Sequence, residues 1–257
     1  MHQMPALFIG HGSPMNIILE NDFAAALSAL REHLPRPEAI MVVSAHWLTR
    51  GTHLTYDKHP RTIHDFYGFP DALYALDYPC PGAPDMAQQV RESVAGIDIR
   101  LSLDWGLDHA AWLILKHLYP EADIPVFEMS LDILGTPEYH YALGKKLISL
   151  RDRGLLIIGS GNIVHNLRLA DFEDMNAAPY DWALKFDEMV QKCLLEHNHQ
   201  LLIDYNHIDN HFMAVPTNDH YLPMLYTLAL QDDHEDVAFI YEGMQNASVS
   251  MRSFIIR

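Results

Sequence analysis

The pattern that most restricts this chain is a repeated alternation between short apolar runs and longer segments with helical spacing. Residues 5–10, 39–45, 97–103, 125–131, 155–159, 237–241 and 249–256 are short runs rich in apolar or β-branched side chains. Between them, residues 22–33, 84–94, 109–118, 137–153, 180–197 and 222–230 carry apolar side chains at helical intervals. Several runs, ALFIG and LLIIG among them, have no polar face. A strand of that kind needs cover on both sides, which helices above and below a largely parallel sheet supply. The expectation is an α/β chain: a single-domain three-layer αβα sandwich around a central mixed β-sheet, spanning residues 1–257. Within residues 249–256, Val249, Met251 and Ser253 alternate with Ser250, Arg252 and Phe254, and this last strand is expected to close one sheet edge.

Charge narrows the partners. Acidic residues outnumber basic ones by 34 to 17, a formal charge of −17, which repels phosphate backbones and anionic lipid surfaces. Nucleic acid and membrane are therefore excluded as first readings, and no run approaches the ~18–20 apolar residues that a membrane helix needs. Cys80 and Cys193 stand far apart with no CxxC, which leaves neither a disulfide framework nor a thiolate zinc site. With no cationic leader before the first apolar run, a reducing cytoplasm is the expected location.

Histidine is the count that asks for chemistry, because the 17 His equal Lys and Arg combined. Three of them follow apolar strand candidates: His11 in GHGSPM, His46 in SAHW and His165 in GNIVHN. Ligands of open α/β sheets bind outside the carboxyl ends of the strands, so these imidazoles are expected to converge there. Gly10, Gly12, Ser44, Ala45, Gly159 and Gly161 adjoin them and let the backbone turn and a bound group approach. Imidazole clusters without thiolates suit Zn, Fe, Cu or Ni, and the same groups can act as acid or base. His220 in PTNDHYLP precedes a helical pattern, and His109 in WGLDHAAW falls in a first helical turn behind the candidate cap Asp108. The long aromatic and proline-rich stretch of residues 48–84 is expected to be a binding wall or a satellite core, with His64 its pocket candidate. No phosphate loop, complete dinucleotide fingerprint, GxSxG or HExxH occurs in the sequence.

The motifs GHGSPM, SAHW, TIHDFYGFP, WGLDHAAW, SGNIVHNL and NDHYLP, in this order and along nearly the whole chain, resemble those of the 4,5-DOPA extradiol dioxygenases, a branch of the class III extradiol ring-cleavage dioxygenases. The resemblance implies one mononuclear metal ion, Fe(II) for activity, and an enzyme that opens a catechol such as DOPA with O₂ to give a semialdehyde. It further implies His11, His46 and His220 as metal ligands, His165 as a fourth ligand or the acid/base, and His109 as a second proton-handling group. Ser13, His64 and Phe66 would face the substrate. Many related enzymes use two His and one carboxylate, so Glu242 could enter the site if the last strands approach it. An all-imidazole site also suits Zn(II), which the purified protein could carry and which has no redox change to offer. A zinc-dependent hydrolase and a non-catalytic metal- or catechol-binding protein are the rival readings.

Overall fold

The computed structural model describes residues 3–257; Met1 and His2, part of the expected N-terminal segment, lie outside the described residues. Its centre is an eight-stranded mixed sheet. The strands are β1 (Ala6–Gly10), β2 (Ala39–Thr49), β3 (Thr52–Thr55), β4 (Ile99–Ser102), β5 (Val126–Asp132), β6 (Leu155–Gly161), β7 (Val237–Tyr241) and, beyond a small hairpin of β8 (Met244–Gln245) and β9 (Val249–Ser250), β10 (Ser253–Ile256). Their order is β4-β3-β5-β2-β6-β1-β10-β7. The neighbouring strands β5, β2, β6 and β1 are mutually parallel; the apolar runs ALFIG and LLIIG are β1 and the start of β6, whereas β5 carries Glu128 and Ser130, both buried, on one face. β10 and β7 pair antiparallel at one side, and β3 joins β5 antiparallel at the other.

The helices are α1 (Asp22–Arg31), α2 (Asp71–Tyr74), α3 (Pro84–Ser93), α4 (His109–Leu118), α5 (Pro137–Lys145), α6 (Asp181–Leu195), α7 (His199–Ile203), α8 (His211–Ala214) and α9 (Leu222–Ala229). Alternate strand residues feed two separate cores. Leu7, Ile9, Ile40, Val42, Leu156 and Ile158 pack with Phe23 and Leu27 of α1 and Trp112 and Leu115 of α4. Phe8, Met41, Val43, Phe127 and Ile157 pack on the other face with residues of α3, α5, α6 and α9. The period-two alternation of strand side chains thus produces the three layers that the sequence calls for.

Three expectations change in detail. The last strand lies between β1 and β7, so β7 is the edge. Residues 249–256 form two strands because Arg252 turns inward to a buried pairing with Asp187, with Ser250 also bonded to that carboxylate. The stretch 48–84 is less irregular than its composition suggests: it contains the end of β2, β3 and α2. Among the described residues, no helix is long and apolar enough to cross a membrane.

Candidate metal centre

Strand register brings the first imidazoles together. Gly10 of β1 pairs with Gly161 of β6, and Ser44 of β2 pairs with Ser160 of β6. His11 and His46 therefore leave the two strands that flank β6 at one height. On the outer side of β2 the ladder to β5 runs regularly to Val43 and resumes only at Leu48. On that side Ser44 to Trp47, four residues, stand opposite the single Ser130, and such a bulge re-aims side chains that a regular strand would commit to the ladder. His46 is one of them. His109 is the first residue of α4, whose cap is the buried Asp108. His220 stands two residues before α9, and its carbonyl accepts from the backbone N–H of Asn162 at 2.9 Å. That approach requires glycine at 161, where a Cβ would overlap the His220 carbonyl.

These four side chains meet. The Nε2 atoms of His11 and His46 are 3.3 Å apart, and ring centroids are separated by 5.6 Å for His11 and His109, 4.2 Å for His46 and His109, 5.0 Å for His46 and His220, and 5.3 Å for His11 and His220. One nitrogen from each of His11, His46 and His109 falls within a common 4.8 Å span. His165 lies against this group, its ring stacked on His220 at 3.5 Å and 8°.

The partners behind the rings decide which nitrogen is free. His11 Nδ1 lies 3.0 Å from Ser160 Oγ, whose own hydroxyl donates to the Ala110 carbonyl at 2.7 Å; the serine oxygen must then accept from His11. His220 Nδ1 lies 2.7 Å from Asp219. His109 Nδ1 and His46 Nδ1 lie 3.0 and 2.9 Å from the two oxygens of Asp65. Each Nδ1 faces an acceptor, so each Nε2 is left with a lone pair. Two lone pairs 3.3 Å apart repel unless a cation lies between them. Nitrogens each about 2.0–2.1 Å from a tetrahedral ion are about 3.3–3.4 Å apart, so the donor set fits a metal.

The electrostatics agree with unprotonated ligands. Burial, reinforced by the neighbouring imidazoles, lowers His11 well below its usual value, and burial likewise lowers His109. Burial pulls His220 down to about 4 and His165 to about 2. His46 is the exception: burial opposes its charge, but Asp65, Asp108 and Asp219 together outweigh it and raise the pKa. Asp65 and Asp219 are held well below the usual carboxylate range, since their imidazole partners outweigh the cost of burial.

The remaining expected residues take different places. Phe66 sets its ring edge-on to His109 at 5.6 Å. His64 is one layer back, against Phe66 and Trp112, with its Nε2 2.9 Å from the Leu76 carbonyl. Ser13 follows His11 and Gly12 and caps the short turn Pro14–Ile17, accepting from Met15 N at 3.3 Å. Glu242 does not join the imidazoles; Arg252 and Gln191 hold it. The site carboxylates are Asp65 and Asp219, each beside a histidine in the HD and DH pairs of the sequence. Ser160 and Asp65 escape sequence reasoning, because their partners lie 149 and 44 residues away.

An α/β sheet with imidazoles gathered at the carboxyl ends of its parallel strands is an arrangement that could hold a metal ion. Residues 5–252 match the family described as the catalytic LigB subunit of aromatic ring-opening dioxygenase. A 4,5-DOPA dioxygenase extradiol of Escherichia coli (strain K12) is 44% identical over 255 residues, covering 98% of this chain and 94% of that protein. The protein of the same name from Mirabilis jalapa is 34% identical, covering 92% and 90%. A crystal structure of an uncharacterized Escherichia coli K12 protein superimposes with a TM-score of 0.87 at 39% identity, covering 99% of this chain and all of that one. The chain belongs to the class III extradiol dioxygenases and is an enzyme of that family.

Proposed function

We propose that the whole chain is one catalytic domain that opens the ring of a small catechol, DOPA or a close analogue, with O₂ to give a semialdehyde. The observation that carries this reading is the cluster of His11, His46, His109 and His220, whose rings meet at one place and whose Nδ1 atoms each lie within 3.0 Å of a serine or aspartate oxygen. His11, His46 and His220 are the proposed ligands and Fe(II) the active metal. A bound redox-active ion supplies the relay of electron density between a chelated catecholate and O₂.

The stacking of His165 on His220 supports a division of roles between them. A ligand imidazole holds its metal close to the ring plane, and two parallel rings 3.5 Å apart do not share one such ion. His220, oriented by Asp219, is the ligand, and His165 is the acid/base. Kept neutral by burial, His165 accepts a proton from a catechol hydroxyl and returns it after ring opening. His109 handles a second proton at its Nε2. Phe66 packs on the substrate ring, with His64 holding Phe66 from behind and Ser13 bordering the mouth beside His11. A second ligand set, with His109 in place of His220, is favoured by the 4.8 Å grouping of His11, His46 and His109. Metal content of the His220→Ala and His109→Ala variants separates the two, since only the ligand's loss releases the ion.

The direct test is anaerobic reconstitution with Fe(II), followed by DOPA or simpler catechols in air. A yellow semialdehyde formed with matching O₂ uptake is expected. Bound iron with neither colour nor O₂ uptake on every catechol tried refutes the reading, and hydrolysis of an ester by the zinc form without O₂ uptake would establish the hydrolase instead.

A further inference from the structure

Asp65 occupies an unusual position for a buried carboxylate. Its side chain is 15% exposed, yet no Lys or Arg pairs with it among the described residues. Its partners are two imidazoles and one backbone amide. Oδ1 accepts from the backbone N–H of His109 at 2.8 Å and from its Nδ1 at 3.0 Å. Oδ2 lies 2.9 Å from His46 Nδ1, a charge-range approach rather than an aligned hydrogen bond, and this buried oxygen has no hydrogen-bond partner among the described residues. The next residue, Phe66, packs its ring on the same His109.

We propose that Asp65 is the positioning residue of this centre: one carboxylate sets the proton of both His46 and His109 on Nδ1 and aims both Nε2 atoms into the site. The inference rests on the function proposed above. A metal ligand and a proton-handling group thereby share one orienting anion, and the aromatic segment that borders the substrate is tied to the metal centre through the same residue. The carboxylate also supplies a negative charge that no protein cation neutralises, which favours a cation in front of the imidazoles. Asp65 reaches substrate and metal only through the two histidines.

Asp65→Asn tests this with almost no change in shape. The His109 backbone N–H needs an acceptor, so the amide oxygen stays at the Oδ1 position and the NH₂ group takes the place of Oδ2. That NH₂ faces His46 Nδ1, where two donors cannot meet. His46 then moves its proton to Nε2, the nitrogen 3.3 Å from His11, and loses the lone pair that binds metal. His109 keeps its tautomer.

The experiment measures Zn(II) affinity by chelator competition and histidine tautomers by ¹⁵N NMR of the metal-free protein. In the parent protein His46 and His109 should both carry the proton on Nδ1. In Asp65→Asn, Zn(II) affinity should fall on the order of 10–100-fold and the His46 proton should appear on Nε2, with His109 unchanged. Parent tautomers with the proton on Nε2 of either histidine overturn the proposal, whether or not the variant folds. A folded variant with parental affinity and parental tautomers overturns it as well. Neither measurement uses turnover, so a failed ring-cleavage assay in the parent protein would sink the functional reading while leaving this result to be judged alone.

Discussion

Replacing Ser160 by alanine isolates the step from hydrogen bonding to metal affinity. Ser160 is fully buried on β6 and makes two bonds, accepting from His11 Nδ1 at 3.0 Å and donating to the Ala110 carbonyl at 2.7 Å. Ala110 lies in the first turn of α4, so its carbonyl retains a helical partner. The orphan is the Nδ1–H of His11, and a buried unpaired donor costs about 1–3 kcal/mol. His11 has one escape, which is to carry its proton on Nε2, but that nitrogen is the metal-facing one. The variant is therefore expected to lose at most about 3 kcal/mol of stability and to bind Zn(II) or Fe(II) about 10–100-fold more weakly. Urea unfolding of the metal-free protein gives the first number and chelator competition the second. A stable variant with parental metal affinity would show that His11 is not held by its serine and would refute the reasoning.

Other perturbations probe other links. Gly161→Ala would drive a methyl group into the His220 carbonyl; displacement of that segment should weaken metal retention more than it lowers the unfolding midpoint, as metal analysis and calorimetry will read. Phe66→Ala removes the ring packed on His109 and should raise the KM for catechols with metal content unchanged. Arg151 is buried, bonded to Glu235 and to the Met4 and Leu230 carbonyls, so Arg151→Ala leaves a buried carboxylate unpaired and should cost about 3–5 kcal/mol in urea unfolding without altering metal affinity. Burial holds His220 at about 4 in the metal-free fold, below the value near 6.5 that the unfolded chain recovers. The unfolded state gains the extra proton first as pH falls. Stability is therefore complete above about pH 6.5 and declines toward about pH 4, by about 3 kcal/mol from His220 alone. His165 adds to the loss and His46, with its raised pKa, opposes it. A urea midpoint that rose on acidification through this window would contradict the assignment.

The legible parts of this protein are those with a short-range signature. β1 and the first five and four residues of β2 and β6 are apolar because both faces are covered, and that lack of alternation is visible in a run of four or five residues. The convergence of His11 and His46 is legible because each follows such a run beside small residues. The interrupted last strand is not, because the inward turn of Arg252 depends on Asp187 of α6, 65 residues away. β3 is hidden for a related reason: THLT is four residues of mixed polarity, and its place is given by pairing with β4 and β5 rather than by its own pattern. The same limit applies in the site. His64 and Asp65 are neighbours in sequence, yet the backbone sends His64 to the Leu76 carbonyl and Asp65 to His46 and His109, a choice set by where α4 begins.

The most direct test of the account is a crystal structure of the metal-loaded protein with anomalous data at the metal edge. One peak is expected, about 2.0–2.2 Å from Nε2 of His11, His46 and His220, with His165 stacked beside and unbound. A peak elsewhere, or one that His11 and His46 do not share, would leave the gathered imidazoles without the ion that explains them.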